Sequence, residues 1–271
     1  MKLKKQLALL LTSVLLVGIL AACGTSEKED KNTAGNEDKD KKVLVMGTSA
    51  DYPPFEFVET SKSDEIKGFD IDIAKAIGKK LGYEVQVKDI DFNSLVPALE
   101  NKSVDFVISG MTPTEKREQS VDFSDIYYTA KNMIITTQDS KIKTVEDLKG
   151  KTVGVQLASI QETLATDLNK SKDLGMKIEK RNRIPEVVQE MSTGRFDAVI
   201  MEDTVAKGYL KDNKDLVGYL IKSGEEDAGS AIAFQKGSKL TDEFNAELKK
   251  MLENGEMEKL ILKWFGDSES K

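Results

Sequence analysis

Val43-Leu44-Val45-Met46-Gly47 is a continuous apolar run ended by glycine, and the residues that follow it, to Ile108, decide the fold. A run of this kind reads as a strand buried on both faces of a parallel sheet. Phe69, Ile71, Ile73, Ala74, Ile77 and Leu81 then recur at helical spacing, with Gly82 placed to cap the helix. Tyr83, Val85 and Val87 alternate as in a strand, Leu95, Val96 and Leu99 mark a short helix, and Val104 to Ile108 is again a buried strand. The order β-α-β-α-β implies a parallel sheet flanked by helices.

A second unit repeats the rhythm. Val145 to Leu148 reads as a helical turn, Thr152 to Val155 as a strand, and Ser159 as the N-cap of a helix reaching Leu168. Ile178 to Lys180 reads as an edge strand, Val187 to Met191 as a helix, and Phe196 to Met201 as a strand. Apolar segments at 131–135 and 231–234 read as strands near the boundaries, and 238–254 and 257–265 as amphipathic helices. The expectation is two α/β lobes: 43–130 with 226–271, and 131–225. Two chain crossovers between them make a hinge, and the cleft they enclose is the preferred place for a ligand.

Towards the N-terminus, Lys2, Lys4 and Lys5 precede an apolar stretch from Leu7 to Leu20, which ends in Leu20-Ala21-Ala22-Cys23-Gly24. That is the form of a secretory signal, here residues 1–22, and it is shorter than the roughly 20 apolar residues of a membrane span. Leu-Ala-Ala-Cys-Gly resembles the lipobox of bacterial lipoproteins, which implies lipid on Cys23 and cleavage before it. Residues 25–42 are almost wholly polar, so 23–42 is expected to be a lipidated cysteine and a flexible tether.

Composition excludes several kinds of chemistry. The net charge is -7 with no basic cluster, so nucleic acid is not an expected partner. With no histidine and a single cysteine there is no Ser-His-Asp triad, no disulfide within the chain and no zinc site of the usual kinds. No metal or cofactor is expected.

The motifs point further. Thr48 to Phe57 (TSADYPPFEF), Gly68 to Ile73, Asp105 to Arg117 (DFVISGMTPTEKR), Val121 to Ser124 and Trp264-Phe265-Gly266 together resemble the polar amino-acid-binding proteins of ABC importers. The likeness runs from about Val43 to Gly266 and includes arginine-binding lipoproteins. It implies the type II periplasmic-binding-protein fold, two α/β lobes closing on an amino acid. It also implies delivery to a membrane permease with its ATPase, by a monomer outside the cell membrane, and the tether and Cys23 anchor suit a Gram-positive surface.

By this resemblance Arg117 takes the ligand carboxylate, for which a guanidinium fork is suited. Neighbouring donors are expected from the turn of Ser109, Gly110, Met111 and Thr112, with the Gly110 backbone and the Thr112 hydroxyl foremost. From the second lobe, Ser159, Ile160 and Gln161 open a helix whose free amides favour an anion. Glu202 is preferred for the ligand ammonium, with Asp203 as the alternative. Tyr52 and Phe92 match aromatic positions that sandwich a basic side chain. Ser49 stands where basic and glutamine binders carry aspartate, leaving Asp51 and Glu56 as candidates for the compensating charge. Arginine or another basic amino acid is the favoured ligand, and glutamine or another polar amino acid the alternative. Two other classes remain beside this one. One is a dehydratase of cyclohexadienyl acids using Glu202 as general acid, and the other a sensor that presents ligand to a signalling protein.

Overall fold

The computed structural model describes residues 42–59, 63–222 and 228–266, all within one compact unit. The expected signal, Cys23 and the tether as far as residue 41 lie outside the described residues, as does the expected lobe boundary at 225–226.

The first strand spans Lys42–Thr48, so it begins at the residue counted as the end of the tether. It pairs in parallel with Tyr83–Asp89 on one side and Phe106–Val107 on the other. Ala233–Gln235 joins antiparallel, and Val121–Phe123 forms the edge. The intervening helix, Phe69–Leu81, ends at Gly82, whose φ of 80° lets its N–H turn back to carbonyls of the last turn. Its buried face, including Ile73 and Ile77, packs in one core with Phe106, Phe234 and Phe244.

The second sheet has the same plan. Lys177–Arg181, Thr152–Gln156 and Ala198–Glu202 run parallel, Asn132–Thr137 lies antiparallel beside them, and Leu216–Leu220 forms the edge. Val153, Val155, Leu164 and Ile200 form a separate core here.

Neither sheet is purely parallel, although the β-α-β rhythm alone implies it. Asn132–Thr137 follows directly on the hinge strand Tyr128–Ala130, and Ala233–Gln235 follows the hinge strand Ala228–Ser230. Each enters its sheet straight from the hinge, so it runs against its neighbours. The two hinge strands pair antiparallel with each other, which lays the two crossovers side by side. The two-lobe α/β architecture with two hinge crossovers is therefore the one observed. A small sheet of Asp51–Tyr52, Glu56–Val58 and Ile66–Lys67 adds to the first lobe.

Candidate functional site

The carboxyl ends of the parallel strands of both lobes converge on a small cavity. This is the edge of an open α/β sheet at which ligands bind. The first lobe contributes Ser49, Asp51, Tyr52, Glu56, Phe92, Ser109, Gly110, Thr112 and Arg117, and the second Gln156, Ser159, Ile160, Gln161 and Glu202. Every residue expected at the site is present except Met111 and Asp203.

Both exceptions have physical causes. Met111 is 1% exposed and packs into the first-lobe core with Leu95, Leu99 and Val121. Asp203, one residue past the strand, is turned out of the cavity: its carboxylate accepts the Lys131 N–H at 2.9 Å and its own N–H donates to the Lys131 carbonyl at 2.7 Å. Of the two acids, Glu202 is the one that faces the cavity.

At one end of the cavity sits Arg117, on the short helix Glu115–Glu118. Its Nη1 donates to the Thr112 carbonyl at 2.6 Å and its Nη2, across the cleft, to the Ala158 carbonyl at 2.9 Å. Ala158 has a φ of 63°, an uncommon conformation for a residue with a side chain. Such strain gathers at functional sites. Among the described residues, no carboxylate forms an ion pair with Arg117, and burial pulls its pKa down to about 10. The Phe92 ring centre lies 5.3 Å from the guanidinium carbon, so one part of its surface is turned to Arg117. Beside it the Thr112 hydroxyl is buried with no partner.

Two expected donors are otherwise engaged. Gly110, at a φ of 52° that favours glycine, gives its N–H to the buried Asp70 carboxylate at 2.8 Å. The Gly110 amide is therefore not a free donor, as the resemblance implied. The Ser159 hydroxyl caps its helix by accepting the Glu162 N–H at 3.2 Å, and it donates to the Gln156 carbonyl at 2.7 Å. Ile160 and Gln161 open that helix, Ile160–Ser171, and the first amides of a helix have no partner within it.

The other walls are acidic. Glu202, 2% exposed, ends the strand Ala198–Glu202. Burial pushes its pKa up to about 8, with the charges of Asp203 and Asp70 adding and the Tyr52 hydroxyl opposing. Glu56 accepts the Ser109 hydroxyl at 2.7 Å, and burial together with the charge of Asp70 raises it well above the usual carboxylate range. Asp51 accepts the Ser49 hydroxyl at 2.8 Å and the Ile184 N–H at 2.7 Å; burial raises its pKa as well. Glu56 Oε2, Thr112 Oγ1 and Glu202 Oε2 are all buried without hydrogen-bond partners and all line this one cavity. Leaving a buried polar group unpaired costs about 1–3 kcal/mol, so their gathering marks a place built for a polar ligand.

Gln156 is the lining residue that the sequence reading leaves out, while Glu56, a candidate there for the compensating charge, does line the cavity. Gln156 had a readable signal, a polar residue at the carboxyl end of an apolar parallel strand. Glu56 sits in the short strand Glu56–Val58, between Phe55 and Phe57, where alternation predicts a face different from theirs.

Residues 44–267 match the model of bacterial extracellular solute-binding proteins, family 3. The chain belongs to that family. It is 55% identical over 262 residues to the arginine-binding extracellular protein ArtP of Bacillus subtilis strain 168, covering 96% of this chain and 98% of the relative. Among solved structures it is similar to the substrate-binding protein of an amino acid ABC transporter, at 46% identity and TM-score 0.78, over 82% of this chain and 99% of the other. An ancestral arginine-binding protein bound to arginine superposes at 40% identity and TM-score 0.77, over 83% and 99%. This family-3 protein thus has the type II periplasmic-binding-protein fold, and its family places it outside the cytoplasm.

Proposed function

We propose that the protein captures arginine outside the cell membrane and delivers it to an ABC importer. One observation carries this reading: a guanidinium with no acid partner among the described residues shares a cavity with three carboxyl groups, Asp51, Glu56 and Glu202. Arg117 and Thr112 take the ligand carboxylate, helped by the amides of Ile160 and Gln161. Glu202 takes the ammonium. That leaves two acids beyond what a neutral amino acid requires, and Asp51 and Glu56 face its guanidinium, with Tyr52 against the stem. The arginine-binding relative at 55% identity supports this choice. The lobes we assign are 43–130 with 226–271 and 131–225, acting as a monomer that closes on the ligand before meeting a permease and its ATPase.

Cys23 carries the lipid in this reading and holds the protein at the membrane. Cys23→Ser is expected to release it into the medium, and retention in the membrane fraction counts against the anchor. Deleting the gene is expected to abolish arginine uptake; a strain that keeps uptake but loses a response to arginine points to a sensor.

One observation favours an enzyme: a carboxyl held near pKa 8, as Glu202 is, suits a general acid. Formation of phenylpyruvate from prephenate, or of phenylalanine from arogenate, decides for it; the transport reading expects neither.

A further inference from the structure

Away from the cavity, one rim of the cleft carries a charged cluster that bridges the lobes. Arg183 lies between the strand Lys177–Arg181 and the helix Ile184–Ser192 of the second lobe. Its Nη1 donates to Asp89 at 2.8 Å and its Nε to Asp91 at 2.6 Å, both at the end of the first-lobe strand Tyr83–Asp89 or just past it. Asn182 donates to the second oxygen of Asp91 at 3.1 Å. The Ile184 N–H, at the start of the helix, donates to Asp51 at 2.7 Å, and Arg183 Nη1 stands 3.7 Å from the other oxygen of that carboxylate. Of these groups only Asp51 lines the cavity.

We propose that Arg183 is a positioning residue, an interlobe latch that holds the cleft shut over bound ligand and fixes Asp51 in the cavity wall. The ligand in question is the amino acid of the reading above, but the latch itself needs none. The bonds just described all join residues 51–91 to residues 182–184, so opening about the hinge breaks all of them together. A lone exposed ion pair contributes little. Here one guanidinium, its side chain 22% exposed, is divided between two acids, and beside it a main-chain N–H meets an Asp51 side chain 8% exposed. Without Arg183, Asp51, Asp89 and Asp91 face the helix start as like charges with Asn182, the Ser49 hydroxyl and main-chain N–H groups as their donors. Because ligand enters the open form and leaves only after the latch has broken, the latch acts on escape more than on capture.

The test uses the purified protein with Cys23→Ser, fluorophores on Lys79→Cys and Lys170→Cys, and single-molecule energy transfer between the lobes. Without ligand, Arg183→Ala is expected to shift the distribution towards the longer distance. With arginine, stopped-flow binding is expected to show a 10- to 100-fold faster off-rate and an on-rate within threefold. Arg183→Lys, which keeps the charge but offers one nitrogen where Arg183 uses two, is expected to fall between. Adding Asp91→Ala to Arg183→Ala is expected to cost less than the sum of the two single changes, the remainder being the bond from Asn182. Unchanged ligand-free distances overturn the latch whether or not arginine binds, as do additive effects in the double variant. Failure of the parent to bind arginine, with the distances still shifted, overturns only the ligand assignment.

Discussion

Replacing Arg117 by alanine separates ligand recognition from folding. A guanidinium has five N–H donors, and here only Nη1 and Nη2 each spend one, on the carbonyls of Thr112 and Ala158. The rest remain for a carboxylate. Removing one member of a buried charge pair costs about 3–5 kcal/mol, because the other charge is left desolvated. At about 1.4 kcal/mol per tenfold, the Kd for arginine should rise roughly 100- to 4,000-fold in titration calorimetry. The ligand-free protein should behave differently. It loses two hydrogen bonds to neutral acceptors, about 1 kcal/mol each, but is relieved of a buried cation whose pKa burial has drawn down to about 10. Its Tm should therefore change by no more than about 3 °C, since 1 kcal/mol corresponds to roughly 2–4 °C at this size. Arg117→Lys keeps the charge without the fork and should bind between the two. An alanine variant that binds within tenfold of the parent refutes the carboxylate role.

Two further outcomes follow from the acids. The folded pKa of Glu202, about 8, lies above the ordinary glutamate value of 4.5. Its contribution to ligand-free stability is therefore fully present below pH 4.5 and is lost as pH rises towards 8. Glu202→Gln should flatten that part of the stability profile measured by urea titration. Because the ammonium needs the carboxylate, arginine affinity in the parent should rise between pH 6 and 8 with release of a proton, seen as a buffer-dependent calorimetric enthalpy; equal enthalpies across buffers refute this. Glu56→Gln should weaken arginine by about tenfold or more while leaving neutral amino acids within about threefold, and equal losses for both contradict a guanidinium contact.

The legible parts of the fold were those carried by local pattern. Lys42–Thr48 and Phe69–Leu81 follow from apolar spacing and from a glycine at Gly82. Leu216–Leu220 was not read, being a short edge strand broken by Gly218, where a Cβ would stand 2.5 Å from the Met133 sulfur. The apolar run from Gly229 to Phe234 divides between hinge and sheet, a distinction that depends on partners far away in the chain. At the site, Arg117, Thr112 and Glu202 were found through resemblance to a family. Spacing alone does not bring together residues from strands in two separate sheets. Nor does it show that the Gly110 amide is claimed by Asp70, 40 residues earlier, or that Arg183 reaches Asp91, 92 residues earlier. Those are tertiary facts, fixed by closure of one lobe on the other.

The most direct test is thermal melting of the purified protein against each of the twenty amino acids, ornithine and citrulline. A ligand at 100 times its Kd stabilises the folded state by about 2.7 kcal/mol, which at this size is a rise of roughly 5–11 °C. Arginine should produce a rise of that order, with lysine and ornithine smaller and glutamine smaller still. A rise with glutamine that equals or exceeds that with arginine contradicts the cation pocket, and no rise with any amino acid contradicts the account as a whole.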